Sequence, residues 1–598
     1  MCGITGCRRP SGALEFLLTS LHRLEYRGYD SAGVALASPG RQELDVVRSA
    51  GKVADLELRC RESTSSRSLP LSATAGIGHT RWATHGAPTE QNAHPHIDCS
   101  GGIAVVHNGV IDNASSLRTE LIARGHRFRS EVDTEVIPHL LEDHVAAGAT
   151  LAEALLLTHP VLRGSWAVVA LDAATGSLAA TAMRSPLLLG IGSEGLHVAS
   201  DAAALAGSCE YVMALEDGDV VDLGETVRWW GADGKPGERR PHIPTQPRVA
   251  EVGFAGHVDY MSKEIAEQDA VASRVVSRLL PGLDGSLWRD LRLPEPQRVR
   301  FVACGSSLNA AAATARVFRQ VAGLPTRLVV ASEWAEELTE SDTLTVAVSQ
   351  SGETADVLSA VERLGGPVLA VTNVAHSTLG RRADAVLLCD AGTEMSVAAT
   401  KTFTAQVLVG SALGLSLAAA RTGVCATLWP HIRAFAETPD QLREVLATTQ
   451  DSAEALAEML ADGEGFLFLS RAGGLPYAHE GALKLKEITY RWAEAHAAGE
   501  LKHGPIALIG PGTPVVVIDG GDPAKMAGSI AEVRARGARV IQVGQSADAL
   551  FQLPGEQQPS WGPLAAVVPL QYLAHSLALA LGKDADRPRN LAKSVTVE

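Results

Sequence analysis

FVACGSSLNAAAATA (residues 301–315) and FLFLSRAGGLPYAHEGALKL (residues 466–485) open alike. Each starts as a short apolar run, passes a turn of small residues and enters an Ala-rich stretch of helical composition. That is the sequence of a strand feeding a helix in a parallel sheet. Working outward from the first, apolar strands are expected at 299–303, 327–331, 343–349, 367–372 and 385–389, with helical stretches between them. Outward from the second, the rhythm restarts at 465–470, 514–518 and 539–543. The reading is a tandem repeat of one α/β doubly wound domain, with a helical segment at 429–460 between the copies.

Upstream the texture differs. To about residue 223 the chain is strand-rich, with runs such as 165–172 and 186–191 between Gly-rich turns. Helical periodicity appears at 13–24 and 135–147. Strands in runs with a few helices predict an α+β sandwich. GADGKPGERRPHIPTQP, residues 231–247, reads as a linker, and a helix is expected over 259–280.

The 598 residues call for three or four domains at roughly 100–200 residues each. With 46% hydrophobic and 20% charged residues the composition is globular. A net charge of −16 gives no broad footprint for nucleic acid or anionic lipid, so neither is expected as a partner. The apolar run 407–420 is shorter than the roughly 20 residues of a spanning helix and reads as a buried core helix. No signal peptide is recognisable. The eight cysteines are scattered without a CxxC pair, which suits reduced thiols in a cytoplasmic protein better than a disulfide frame or a zinc site.

Chemistry begins at Cys2. Removal of Met1 would leave its thiol beside its own α-amine, whose ordinary pKa of roughly 7.7–8.0 suits it to take the thiol proton. Gly3 would let the backbone turn tightly there. In HTRWATHG (79–86), Arg81 can hold a carboxylate bidentately. Asn108 and the backbone N–H of Gly109 can form an oxyanion hole, and Asp133 can anchor an ammonium. A substrate with an ammonium, a carboxylate and an amide under attack is glutamine. His94 and His96 lack the third ligand a zinc site needs.

In the first repeat, CGSSLN (304–309), SQSGETAD (349–356) and AGTEMSVAATK (391–401) each follow a strand. Backbone N–H groups and helix dipoles at such turns favour a phosphate, and Ser307, Ser349, Ser351 and Thr354 add hydroxyls; ordinary helix capping is the bland alternative. No GxGxxG or GxxxxGK[ST] follows a strand, so dinucleotides and ATP are poor candidates. In HEGALKLKEITY (479–490), Glu480, Lys484 and Glu487 fall at helical spacings, the commoner explanation being a surface ion-pair ladder. ELKHGP places His503 in a loop, and Lys593 lies in a terminal segment that would ordinarily be a solvated tail.

CGITG, RLEYRGYDSAG, HTRWATHG, NAHPH, HNGVIDN and DTE, in that order, resemble the class II, N-terminal-cysteine glutamine amidotransferases. SQSGETAD, the GTE–VA–TK stretch, EGALKLKE, GELKHGP and RNLAKSVTVE resemble sugar isomerase (SIS) domains. Joined in one chain, they resemble the glutamine:fructose-6-phosphate aminotransferase family over nearly the whole length. The resemblance implies an α+β N-terminal-nucleophile sandwich followed by two α/β doubly wound sugar isomerase domains. It places the amidotransferase at 2–224, a linker and connecting helix at 225–289, the isomerase domains at 290–430 and 457–588, and a catalytic tail at 589–598.

Residue by residue, the resemblance makes Cys2 the nucleophile, Arg81 and Asp133 the glutamine holders, and Asn108 with Gly109 the oxyanion hole. Arg27, Thr84, His85 and His94 match positions that shape this site, and Trp82 matches a tryptophan gating an ammonia channel. Lys593 would form a Schiff base with the open-chain ketose, Glu487 would move the proton between sugar carbons, and His503 would assist ring opening from a partner subunit. Ser307, Ser349, Gln350, Ser351 and Thr354 would bind the sugar phosphate, with Val397 and Ala592 nearby. The implied substrates are L-glutamine and D-fructose 6-phosphate, the implied assembly a cytoplasmic homodimer, and no metal or organic cofactor is implied. Three readings compete: the same architecture acting on another phosphorylated ketose, a non-catalytic sugar-phosphate sensor, and a glutamine-dependent phosphoribosyl transferase, which shares the N-terminal chemistry but is disfavoured by the tandem isomerase domains. Three departures from the family stand out: Ala399 where Ser is usual, Asp259 where His is common, and an extra-looking polar loop, CRESTSSRS, at 60–68.

Overall fold

Two antiparallel sheets face each other in the N-terminal unit, Met1–Val252 with Ala592–Glu598. The computed structural model describes residues 2–65, 72–82, 86–237, 240, 242–244, 253–520, 523–555 and 559–596. One sheet has eight strands, with Gly3–Arg8 between Gly195–Ala199 and Ala75–Arg81; the other has six, with Ile103–Ile111 beside Gly164–Asp172. Strand alternation builds the layers. Ala104 and Val106 turn toward the other sheet, joining Ile4, Ile77 and Val169, while Ile103 and Val105 turn toward helices.

Helices Ala13–Leu24 and Val53–Ser65 cover the eight-stranded sheet; Ala114–Ala123, Val136–Ala146 and Leu151–Thr158 cover the six-stranded one. In the first of these, Ala13, Phe16, Leu17, Leu21 and Leu24 recur at helical spacing and are buried. The sandwich expected from the strand-rich texture is present.

Some local expectations need correction. Cys60–Ser65, read as loop, form the end of the helix Val53–Ser65, because Val53, Leu56 and Cys60 make a buried stripe within a polar sequence; residues 66–68 lie outside the described ones. Part of the expected linker is strand: Ile243–Pro244 pairs with Tyr211–Ala214. Past residue 224, Val227–Trp230 also pairs into a sheet, against Val220–Leu223. The helix expected over 259–280 is two helices, Tyr260–Ala266 and Gln268–Leu279, meeting at Glu267.

The second unit, Gly253–Leu591, holds two five-stranded parallel sheets. In the first the spatial order is Thr326–Val330, Arg298–Ala303, Thr343–Ser349, Val368–Thr372, Ala385–Leu388. In the second it is Trp492–Ala497, Gly465–Ser470, Pro514–Ile518, Arg539–Gly544, Phe551–Gln552. Both therefore place the second strand outside the first, and the order reverses between first and third, the usual ligand crevice of such sheets. The helix Trp429–Leu460 lies between the copies in sequence, as expected.

The apolar run 407–420 belongs to a longer helix, Lys401–Thr422, of 22 residues. By length and composition it could cross a membrane, yet every residue from Lys401 to Ala419 is buried inside the unit. Asp259 has a structural account: it caps Tyr260–Ala266 by accepting from the Ser262 N–H at 2.8 Å, and its other oxygen meets His575 Nε2 at 2.7 Å.

Candidate active sites

Antiparallel pairing sets the N-terminal site. Gly3 stands opposite Thr80, which brings Cys2 to the end of the strand Ala75–Arg81. The Trp82 N–H donates to Cys2 Sγ at 3.3 Å. Burial pushes the Cys2 thiol up, opposed by this hydrogen bond and by the Arg81 guanidinium. Gly3 is extended rather than tightly turned. It is needed for room, since a Cβ there would lie 2.6 Å from Thr80 Oγ1.

Asn108 Nδ2 donates to the Cys2 carbonyl at 3.0 Å, and its Oδ1 lies 3.1 Å from His79 Nε2. The same nitrogen lies 3.0 Å from the His107 carbonyl. Two oxygens at one ring nitrogen require a proton there, and burial holds the pKa of His79 at about 3, so the ring is neutral. His79 thereby decides which way the Asn108 amide points and leaves its second N–H available. Gly109 has φ 136°, and a Cβ there would fall 2.0 Å from the Ser165 carbonyl oxygen, so only glycine fits.

Arg81 is buried, with Nη1 3.4 Å from the Ala87 oxygen and Nη2 3.3 Å from that of Gly86. Asp133 Oδ2 accepts from the Ile111 N–H at 2.8 Å. Buried Arg27 pairs with half-buried Asp201, which Tyr26 also reaches at 2.8 Å. Burial alone would lower the Arg27 pKa; Asp201 and Tyr26 outweigh it and raise it. His94 Nε2 is 3.0 Å from Thr134 Oγ1 and packs edge-on against His96, and burial holds both rings well below the usual histidine range. No third ligand joins that pair among the described residues. Trp82 is half-buried; Thr84 and His85 lie outside the described residues.

In the second unit, the turn after Thr343–Ser349 is tied by its own hydroxyls. Ser349 Oγ meets Thr354 Oγ1 at 2.9 Å and accepts from the Gly352 N–H at 3.1 Å; Ser351 Oγ accepts from the Glu353 N–H at 3.1 Å. Thr354 stands at the N-cap of Ala355–Leu364, yet its side chain makes no capping bond. Simple capping thus does not account for these hydroxyls. Gln350 sits on the same turn, its carbonyl accepting from the Asn373 N–H at 3.0 Å. Ser307, on the helix Gly305–Gln320, accepts from Gln406 Nε2 at 3.0 Å. The third stretch is shaped by buried Glu394, which accepts from the Thr400 and Thr402 N–H groups at 2.9 and 3.0 Å. Val397 donates its N–H to the Asp586 carbonyl at 3.0 Å.

The charges at 480, 484 and 487 are no surface ladder. On the helix Leu475–Thr489, Lys484 Nζ lies 2.5 Å from Glu487 and 3.5 Å from Glu480, with Lys484 and Glu480 fully buried. Asn309 Nδ2, from the first repeat, donates to Glu480 at 2.9 Å. A continuous polar path therefore joins the CGSSLN turn to Glu487. Burial raises the Glu480 pKa; it would lower that of Lys484, but the two carboxylates outweigh it and keep the amine a cation. His503 is exposed on the short helix Glu500–His503. Ala592 and Lys593 are half-buried in the segment that groups with the first unit. Sequence reasoning missed His79 and the buried state of the 480–487 charges. The first was legible only as part of HTRW, the second only once burial was known.

Residues 79–207 match the glutamine amidotransferase domain family, and 293–416 with 468–551 match the SIS domain family. A glutamine–fructose-6-phosphate aminotransferase (isomerizing) of Streptomyces coelicolor is 42% identical over 629 aligned residues, covering 100% of both chains. One from Thermus thermophilus is 41% identical, again over 100% of both. The solved C-terminal domain of glucosamine-fructose-6-phosphate aminotransferase from Francisella tularensis superposes with TM-score 0.52 at 30% identity, covering 56% of this chain and 100% of its own. Fold and sites together define a glutamine amidotransferase joined to paired SIS domains. The chain belongs to the glutamine–fructose-6-phosphate aminotransferase (isomerizing) family of enzymes.

Proposed function

We propose that the enzyme makes D-glucosamine 6-phosphate and L-glutamate from D-fructose 6-phosphate and L-glutamine, the first step of hexosamine synthesis. What carries this reading is the full-length match to the family; Cys2, Glu487 and Lys593 stand in the sequence motifs whose resemblance gives them these roles. After loss of Met1, the Cys2 thiol passes its proton to its own amine and attacks the glutamine amide carbon. The second Asn108 N–H and the Gly109 N–H stabilise the oxyanion, Arg81 and Asp133 hold the two ends of glutamine, ammonia leaves, and water releases glutamate from the thioester.

In the sugar centre, the Ser349–Thr354 turn with Ser307 takes the phosphate. By resemblance to the family's terminal motif, Lys593 forms the imine with the ketose carbonyl. Lys484 sits between two carboxylates as a cation, and a protonated amine cannot attack. Glu487, fixed by Lys484, moves the proton between the sugar carbons, and exposed His503 is suited to serve a second copy in a homodimer. The functional division proposed is glutaminase in 2–224 and isomerase in 290–430 and 457–588, with the tail 589–598 supplying Lys593; the proposed compartment is the cytoplasm.

The test is mass analysis of the product from fructose 6-phosphate and amide-15N glutamine. Labelled glucosamine 6-phosphate is expected. Glutamate release without labelled amino sugar, from folded and processed enzyme, overturns the assignment, and screening other ketose phosphates then identifies the true acceptor.

A further inference from the structure

One cluster in the N-terminal unit takes no part in the glutamine chemistry. Cys99 lies in the loop between His96–Ile97 and Ile103–Ile111, His126 follows the helix Ala114–Ala123, and His139 and Glu142 stand three apart on Val136–Ala146. One donor atom from each comes within 4.8 Å of all the others. Cys99 Sγ is 3.6 Å from both His126 Nδ1 and His139 Nδ1, and Glu142 Oε2 is 3.1 and 3.3 Å from the same two nitrogens. A tetrahedral zinc with bonds of roughly 2.0–2.3 Å has ligand–ligand edges of about 1.63 times that, roughly 3.3–3.8 Å. The four edges given lie within or just below that span, and the remaining two, Cys99–Glu142 and His126–His139, are within 4.8 Å.

The surroundings fit the same centre. His126 Nε2 is 3.0 Å from Asp143 Oδ1, and a proton held on that nitrogen alone would leave the Nδ1 lone pair facing Glu142 and Cys99. Zinc-bound histidines commonly place a carboxylate behind the second nitrogen, as Asp143 stands behind His126; His139 Nε2 is 4.0 Å from Glu135 and makes no hydrogen bond. The Arg127 N–H donates to Cys99 Sγ at 3.4 Å, as suits a thiolate ligand. With that tautomer, an imidazole lone pair, a carboxylate and a sulfur converge on one point where a cation would satisfy all of them.

We infer that Cys99, His126, His139 and Glu142 bind one Zn2+. One sulfur, two nitrogens and one oxygen are a zinc donor set, and four protein ligands with no open position make a structural site. It would pin two loops to the helix Val136–Ala146. The sequence gaps of 27 and 13 positions between successive ligands hide it from any short motif. The inference does not depend on the proposed reaction.

The test uses the untagged full-length chain, loaded with equimolar Zn2+ alone, dialysed against metal-free buffer and assayed for metal by mass spectrometry. About one zinc per chain is expected, with retention at least roughly tenfold lower in Cys99→Ser and His139→Gln. Cys2→Ala should keep its zinc. Cobalt substituted into the wild type should show a thiolate-to-metal band that Cys99→Ser lacks, and the wild-type band decides the matter should the variants fail to fold. No retained zinc and no cobalt–thiolate band in folded wild type would mean that protons alone hold the cluster. Zinc lost in Cys2→Ala, or kept in Cys99→Ser, would place the metal elsewhere. Each of these outcomes overturns the proposal.

Discussion

The two proposed reaction centres differ in what they bury. The groups placed to meet an oxyanion beside Cys2 are neutral, the Asn108 amide set by the His79 ring and backbone N–H groups, although the buried Arg81 guanidinium also acts on the thiol. Around Glu487 they are charged, with Lys484 between two carboxylates. The difference follows from when charge appears. An oxyanion exists only at the transition state, so oriented dipoles serve it without a standing desolvation cost. A carboxylate base is charged before and after it carries the proton, and a partner cation offsets the cost of keeping that charge buried. Each centre has the polarity its reaction needs for longest.

The sharpest way to break this contrast is Glu487→Gln. It should cut amino-sugar formation about 10³-fold while leaving glutamine hydrolysis near the wild-type rate. A variant that still makes product at a tenth of the normal rate would remove Glu487 from the chemistry. Next is His79→Gln, which keeps bulk but unfixes the Asn108 amide. Glutaminase kcat should fall roughly 100-fold with KM changed little, the signature of a group acting on the transition state; an equal change in KM would mean that His79 only supports binding. Smaller again is Ser349→Ala. Loss of one hydrogen bond to a charged phosphate, about 1.5–3 kcal/mol, should raise KM for the sugar roughly tenfold or more at nearly constant kcat. Fructose 6-phosphate kinetics at saturating glutamine would show it.

The mildest test is acid. The folded pKa of His79 is about 3, so the unfolded chain, with an ordinary value near 6.5, binds its proton first. Stability from this group is therefore lost as pH falls from about 6.5 toward 3, by about 1.4 kcal/mol per pH unit. Glu480 carries the opposite sign, because burial raises its pKa and the folded state takes up the proton first. Denaturant midpoints between pH 7 and 5 should fall more steeply for wild type than for His79→Gln. Equal slopes would mean that His79 is already protonated in the fold.

Legibility tracked chain locality. The paired doubly wound sheets could be read because each strand, turn and helix is contiguous, and Thr343–Ser349, Gly465–Ser470 and Pro514–Ile518 fall where expected. Cys60 reads as loop in the sequence because the polar residues around it outnumber the three that pack. Cys2, Arg81 and Asn108 were recognisable as motifs, but the orienting role of His79 needed the pairing of strands far apart in sequence. Glu480 and Lys484 share one helix, and their spacing was plain; their burial depends on Asn309, 171 positions away, which no helical wheel contains.

The grouping of Ala592–Glu598 with the first unit bears on how the molecule is made. Residues 1–252 leave the ribosome before the second unit, yet Ala592–Glu598 of the same unit follow it. The two parallel sheets can form as their residues emerge, whereas the N-terminal unit stays short of that segment until both sheets have been translated. Synthesis that stops before Ala592 would therefore leave the older unit incomplete, and would remove Lys593 with it.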